Sequence, residues 1–243
     1  MSDTPTHLLS AGGLTPAEIL AQTPDTTHAQ DLLHAAIHHH YPGRIALVSS
    51  FGTEAAILLH MVAEIKSDLP VLFVDTHKLF GETLRYRDKL VAQLGLTDVR
   101  SLTPDAADIA AEDKDGFLFN TNADRCCHIR KVLPLQKALE GFDSWISGRK
   151  GHHLGRGSLP LIENTGSHVK FNPLAAWSRD AVKAYYAAHT LPEHPLEQDG
   201  FLSVGCFTCT ERVQAGEDVR AGRWKGQDKT ECGIHFSFSP PAN

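Results

Sequence analysis

Short, almost wholly apolar runs alternate along this chain with longer segments in which apolar residues recur every three or four positions. Ile45-Ala46-Leu47-Val48 and Val71-Leu72-Phe73-Val74 are four-residue apolar runs that stop at polar residues, the pattern of strands buried on both faces. Helical spacing marks 27–40, through Leu32, Leu33, Ala36 and Ile37, and also 53–64 and 80–94. Thr15-Pro16-Ala17-Glu18 has the form of a capping box with proline at the first helical position, so a short helix is expected to begin there. Further strands are predicted at Val99 to Leu102, Ser144 to Ser147 and near Val169 to Phe171, with helices over about 125–139 and 178–189. This alternation predicts an α/β fold, a parallel sheet joined by right-handed crossovers and covered by helices on both faces. The two prolines of His189-Thr-Leu-Pro-Glu-His-Pro-Leu196 end regular structure. The chain therefore divides into an N-terminal tail (1–13), an α/β domain (14–199) and a C-terminal segment (200–243) with little hydrophobic periodicity.

The 243 residues, 42% of them hydrophobic, suffice for one sizeable core. No apolar run reaches the roughly 18 residues of a membrane span, and Met-Ser-Asp-Thr-Pro-Thr-His lacks the basic and apolar regions of a secretory signal. A soluble cytoplasmic protein without membrane partners is expected. A net charge of −6 argues against nucleic-acid binding and leaves room for an anionic small molecule if positive charge is locally concentrated. Homo-oligomerisation is left open.

Two loops follow predicted strands at the carboxyl edge, where open α/β sheets bind ligands. Ser49-Ser50-Phe51-Gly52-Thr53-Glu54 leads into a helix whose free N–H groups favour a phosphate; the same residues also serve as an ordinary strand-to-helix joint. Asp75-Thr76-His77 either contributes polar groups to an adenosine or, through Asp75, caps a helix beginning near Leu79.

The five cysteines carry more information. An odd count without an export signal disfavours a disulfide framework and favours metal or redox work. Cys126-Cys127 and Cys206-Phe207-Thr208-Cys209 form two close pairs. Neighbouring helical side chains point about 100° apart, which is awkward for one zinc ion, whereas a cubane offers separate iron atoms. The arrangement favours a [4Fe-4S] cluster over zinc, inert packing or a thioredoxin-like redox pair. Cys232 lies outside these pairs, flanked by Lys229 and His235 and followed by Gly233. Nearby positive charge favours a thiolate and glycine lets the chain bend, so Cys232 is the candidate nucleophile.

At these residues the sequence resembles the adenylyl-sulfate and phosphoadenylyl-sulfate reductases, in the iron–sulfur-containing bacterial branch. The matching strings are S-S-F-G-T-E-A, the D-T-x-K-L-F-x-E-T element at 75–83, C-C-H-I-R-K-V, W-I-S-G-R-K, G-C-F-T-C-T, G-E-D-V-R-A-G-R-W and K-T-E-C-G-I-H, spanning about 45–236. The resemblance implies an adenine-nucleotide α-hydrolase-like fold, so that 14–199 would bind nucleotide and 200–243 would carry cluster-binding and catalytic residues. It implies one [4Fe-4S] cluster on Cys126, Cys127, Cys206 and Cys209, with an electrostatic role and no change of oxidation state in turnover. Cys232 would attack the sulfur of adenylyl sulfate, expel AMP and become S-sulfonated, and thioredoxin or a similar dithiol protein would then release sulfite in assimilatory sulfate reduction, on the route to cysteine. Lys131, Arg220, Arg223 and His235 match the family's basic positions and would neutralise the multiply anionic substrate. Ser49, Ser50, Phe51, Gly52, Glu54, Asp75, Thr76, Gly148, Arg149, Lys150 and Arg156 would bind it.

Three departures stand out. His77 occupies a position where the family usually has glycine, Gly81 replaces a proline, and G-R-K-G-H-H-L-G-R lacks a glutamine and is one residue short, with Arg156 standing for the distal arginine. They raise two alternatives: a catalytically weakened iron–sulfur redox sensor that binds sulfonucleotide, and a reductase preferring the 3′-phosphorylated nucleotide. An ATP-using adenylating sulfur transferase is disfavoured, because Ser49–Glu54 departs from S-G-G-x-D-S.

Overall fold

A computed structural model describes residues 15–22, 28–151 and 159–235. The predicted tail 1–13 and Arg156 lie outside the described residues. Helix α1 (Pro16–Gln22) opens with the capping box: Thr15 N donates to Glu18 Oε2 at 2.6 Å and Glu18 N to Thr15 Oγ1 at 3.3 Å. Helix α2 (Ala29–Ala35) runs into a π turn (Ala36–His40), and the alternation then follows as β1 (Ile45–Ser49), α3 (Ala55–Lys66), β2 (Val71–Val74), α4 (Gly81–Leu94) and β3 (Val99–Leu102). Helices α5 (Ala106–Glu112), α6 (Leu118–Thr121), α7 (Ala123–Cys127) and α8 (Leu133–Leu139) come next. Strands β4 (Ser144–Ser147), β5 (Ile162–Asn164) and β6 (Val169–Phe171) and helix α9 (Arg179–Ala188) complete the domain.

The six strands form one sheet in the order β3-β2-β1-β4-β6-β5. All neighbours are parallel except β5, which pairs antiparallel with β6. This edge strand and the helices α5 and α6 are absent from the sequence-based expectation: three residues are too few to show a period, and α5 buries no residue that would create an apolar stripe. Side chains alternate between two cores. Ile45, Leu47, Val71, Phe73 and Ile146 join residues of α2, α3 and α4 in the larger one, and Ala46, Val48, Leu72, Val74 and Trp145 meet Leu135 and Leu139 of α8 in the smaller.

The helix expected over 125–139 is continuous but bulged, its α-helical ends α7 and α8 being joined by a π turn over His128–Val132. Arg130 in that turn is 7% exposed. Its Nε and Nη2 donate to Asp113 Oδ2 at 3.0 and 2.6 Å, and its Nη1 donates to the Thr76 carbonyl at 2.9 Å. Asp113 Oδ1 also accepts from Leu118 N at 2.8 Å. One guanidinium thus ties the cysteine-bearing helix to the end of β2. Removing one partner of a buried, hydrogen-bonded ion pair leaves a lone buried charge, so Arg130→Met is expected to cost about 3–5 kcal/mol of stability in urea unfolding. Burial pushes the Asp113 carboxyl up, but the Leu118 N–H and Arg130 outweigh it and hold the group below its ordinary value. The contribution is therefore fully present above about pH 4 and fades as pH falls through the depressed native value, which unfolding measured between pH 6 and pH 3 will register.

Candidate active site

Strand order diverges on either side of β1 and β4, and such a switch point opens a crevice at the strands' carboxyl ends. A cavity of about 810 Å³ occupies it. Ser49, Ser50, Gly52, Thr53 and Glu54 line it after β1, and Gly148, Arg149 and Lys150 after β4. The C-terminal arm closes it with Arg220, Arg223, Glu231, Ile234 and His235. Lys150, only 2% exposed, lies with its Nζ 2.8 Å from Glu54 Oε2 and donates to the Gly148 carbonyl at 3.3 Å. The two loops are thereby fastened across the crevice.

Not every residue singled out by the sequence faces this cavity. The Phe51 ring is fully buried edge-on against Phe73, centroids 5.3 Å apart, and belongs to the core; its backbone has φ +49° and its N–H donates to Ser49 Oγ at 3.2 Å. Asp75 and Thr76 lie outside the lining. Asp75 Oδ1 accepts from His77 N at 3.0 Å, while α4 begins at Gly81 behind an N-cap at Phe80, so Asp75 makes a local turn and caps no helix. His77 holds φ +59°, the left-handed backbone that glycine adopts most easily. Thr76 Oγ1 lies 3.2 Å from Cys206 Sγ and so marks a cysteine cluster rather than the cavity.

That cluster assembles from three segments. Cys126 and Cys127 end α7, and Asn122 caps this helix by accepting from Arg125 N at 2.9 Å. The short 3₁₀ turn Phe207–Cys209 is stitched to the loop after β2, because Phe207 N donates to the Lys78 carbonyl at 2.8 Å and Leu79 bridges Cys206. The arm returns along this turn: Thr210 bridges Arg223, and Trp224 N donates to the Cys209 carbonyl at 3.1 Å. Cys126, Cys127 and Cys206 are buried, Cys209 and Cys232 half-buried, and all five are free thiols. Burial and the neighbouring Cys127 push the Cys126 thiol up to about 11, and burial likewise raises Cys127, whose electrostatic neighbours include Lys131, Cys232 and Cys206. Among the described residues no three His, Cys, Asp or Glu side chains are gathered tightly enough for a single metal ion.

Two cations join the cluster to Cys232. Burial works against the charge of Lys131, yet Cys206, Cys232 and Cys127 outweigh it and raise the ammonium's pKa. Arg223 interacts with Cys232, Cys206 and Cys209, although burial and Arg220 press its pKa down. Its guanidinium occupies the space a side chain at residue 205 would fill, so Gly205 is what lets it in, and it stacks 4.5 Å from the Trp224 ring centroid. Arg220 donates to the Thr230 carbonyl at 2.8 Å and pairs with Glu231 at 3.3 Å, bracing the segment just before Cys232. Lys229, expected to act electrostatically on Cys232, is paired with Asp124 of α7. Sequence reasoning missed the far wall of the cavity, formed by Arg179, Lys183 and Tyr186 of α9 and by Glu193 and Glu197 beyond it. Nothing in the spacing of these residues separates them from an ordinary amphipathic helix and its exit loop.

Comparison with known proteins matches residues 44–212 to the phosphoadenosine phosphosulfate reductase domain. The adenosine 5′-phosphosulfate reductase of Mesorhizobium japonicum is 47% identical over 227 residues, 93% of this chain and 84% of that protein. The phosphoadenosine 5′-phosphosulfate reductase of Gloeobacter violaceus is 40% identical over 200 residues, 79% of this chain and 82% of that one. Among solved structures, phosphoadenylyl-sulfate reductase from Candida auris superposes with a TM-score of 0.68 at 24% identity, covering 82% of this chain and 98% of that one. Yeast FAD synthetase shares the fold at a TM-score of 0.54 and 14% identity, covering 82% and 70%.

A thiol with a pKa near 11 is almost wholly protonated at pH 8. In metal-free protein, alkylation of Cys126 by iodoacetamide is therefore expected to run roughly 100-fold slower than that of an unperturbed thiol, and to accelerate as pH rises toward 11. Peptide mass mapping over time measures both effects.

Proposed function

The chain belongs to the phosphoadenosine phosphosulfate reductase family, and on that footing we propose that it reduces adenylyl sulfate to sulfite and AMP with Cys232 as the nucleophile. The observation that carries this reading is the fifth cysteine: Cys232 shares the cations Lys131 and Arg223 with the cysteine cluster and sits between Glu231 and Ile234, which both line the nucleotide-sized cavity. Thiolate attack on the sulfonyl sulfur forms an S–S bond and breaks the bond to the phosphate oxygen, and AMP leaves with the electron pair. Lys131, Arg220, Arg223 and His235 offset the repulsion between the incoming thiolate and the anionic phosphosulfate. A thiolate of thioredoxin or a similar dithiol protein then attacks Cys232 Sγ, sulfite departs with the bonding pair, and the second thiol of the reductant resolves the mixed disulfide. The nucleotide would occupy the crevice between Ser49–Glu54 and Gly148–Lys150, its phosphate near the N-terminus of α3.

Cys126, Cys127, Cys206 and Cys209 would hold one [4Fe-4S] cluster. The donor set fits it: the thiols are soft, mostly buried and unoxidised, they come in two pairs, and cations stand ready to face the anionic charge of thiolate ligation. Such a cluster would supply a fixed negative charge beside Lys131 and Arg223. The relative named for the 3′-phosphorylated substrate favours a second reading, in which that nucleotide is preferred.

Incubation with adenylyl sulfate in the absence of reductant is expected to add one sulfonate to the Cys232 peptide, and Cys232→Ser to remove both the adduct and sulfite production. Sulfite release at the parent rate from Cys232→Ser would overturn the assignment. Arg223→Ala is expected to lower kcat by about 10²- to 10³-fold, the loss typical of a preorganised charge partner. Cys209→Ser is expected to lose bound iron and acid-labile sulfide by direct assay. Parallel kinetics on both nucleotides decide the substrate preference.

A further inference from the structure

A row of side chains crosses the face of the sheet beneath the C-terminal arm. Register places Trp145 of β4 opposite Lys170 of β6, and Lys170 opposite Glu163 of β5. Trp145 and Lys170 are both fully buried, an unusual position for a lysine. Lys170 Nζ is 2.8 Å from Glu163 Oε1 and 5.2 Å from the Trp145 ring centroid, and Glu163 Oε1 also accepts from Asn172 Nδ2 at 2.6 Å. Such a paired cation over an indole fixes the ring's position through an attraction that strengthens out of water. The His235 ring stacks on Trp145, centroids 6.1 Å apart with planes 7° from parallel. Ile234 packs on the same core as Trp145, with Ala46, Val48, Leu72 and Val74. Gly233, at φ +90°, makes the bend that carries the chain from Cys232 to this seat.

Cys232 is therefore held from both sides. Upstream, Arg220 grips Thr230 and Glu231, and Lys229 is paired with Asp124. Downstream, the hold is Ile234 and the His235 stack. We propose that Trp145, pinned by the Lys170–Glu163 pair, is a positioning residue whose stack with His235 docks the arm and so fixes the place of the Cys232 thiol. His235 thus has a docking role distinct from its charge. The proposal deepens the reductase reading, since it concerns the thiol assigned there as nucleophile.

The test compares the rate at which iodoacetamide modifies Cys232 in the full-length protein as purified, followed by peptide mass. His235→Ala loses the ring and is expected to react about two- to tenfold faster, the span a stacked aromatic pair supports, while His235→Phe keeps a ring and stays within about twofold of the parent. In a Trp145→Leu background the two His235 variants should react alike, because the seat is gone. Reaction of His235→Ala at the parent rate, or of His235→Phe as fast as His235→Ala, overturns the proposal. The His235 pair decides the matter even if Trp145→Leu does not fold. Alkylation needs no turnover, so the reductase reading fails separately, when adenylyl sulfate leaves Cys232 unsulfonated.

Discussion

Half-buried positive charge facing sulfur is the constraint around which the rest of this molecule is arranged. Lys131 and Arg223 come from opposite ends of the functional region, one from the π turn after α7 and the other from the C-terminal arm, and they converge on the same thiols. Partial desolvation disfavours a cation, and negative charge developing on the nearby sulfurs offsets it. The fold makes room for the convergence at particular points. Gly205 leaves space for the Arg223 guanidinium, and Gly222 lets the arm's backbone pass close to the Glu211 carbonyl. The π turn inserts an extra residue into the helix, and such bulges recur where a side chain must be re-aimed toward a site.

The same cations explain how an acidic protein can hold an anionic ligand. Net charge of −6 describes the whole surface, whereas the crevice between β1 and β4 gathers Arg149, Lys150, Arg220, Arg223 and His235 against a few carboxylates. Field lines focused in a cleft depend on these local groups far more than on the total. One lysine is already neutralised: Lys150 is buried against Glu54 and serves to hold two loops at a fixed separation. The arm contributes Arg220, Arg223 and His235 to the cavity lining, and Arg223 also faces the cysteines, so the cavity and the cysteine cluster share a wall.

The two central strands were legible because burial on both faces leaves four-residue apolar runs, and β1 and β2 fall where those runs fall; β3 and β4, with polar residues inside them, were placed by the alternation of strand and helix. The bulge over His128–Val132 was not legible, since one extra residue inside a continuous helix leaves its short apolar pattern almost unchanged; it is from this turn that Arg130 reaches Asp113 and Thr76. At the site, the cysteines announced themselves through spacing, and the arm's arginines through the strings around them. The direction of the Phe51 ring was not legible: the residue sits in the loop after β1 and turns its ring into the core against Phe73. The residues of α9 and the Trp145–Lys170–Glu163 row were invisible for a different reason. Their meaning lies in which strands are neighbours, and strand order is a property of the assembled sheet.

The two anchors of Cys232 differ in kind, and the difference bears on what the arm must do. The upstream ion pairs reach water, Arg220 and Glu231 being about a quarter exposed and Asp124, the partner of buried Lys229, mostly exposed, so salt weakens them. The downstream seat is largely a contact of partly buried Ile234 and His235 with the buried Trp145 core, and salt acts on it less. In the proposed cycle the same sulfur is needed twice, first inside a crevice closed around a nucleotide and then by the thiolate of another protein. A single aromatic stack is worth about 1 kcal/mol, so the His235 contact adds a modest increment to the hold that Arg220, Lys229 and Ile234 already exert on this segment. A full strand or helix in place of this short tail would fix the thiol for the first partner at the expense of the second. An arm with no helix or strand longer than three residues among those described, held by several separate side-chain contacts, answers both demands.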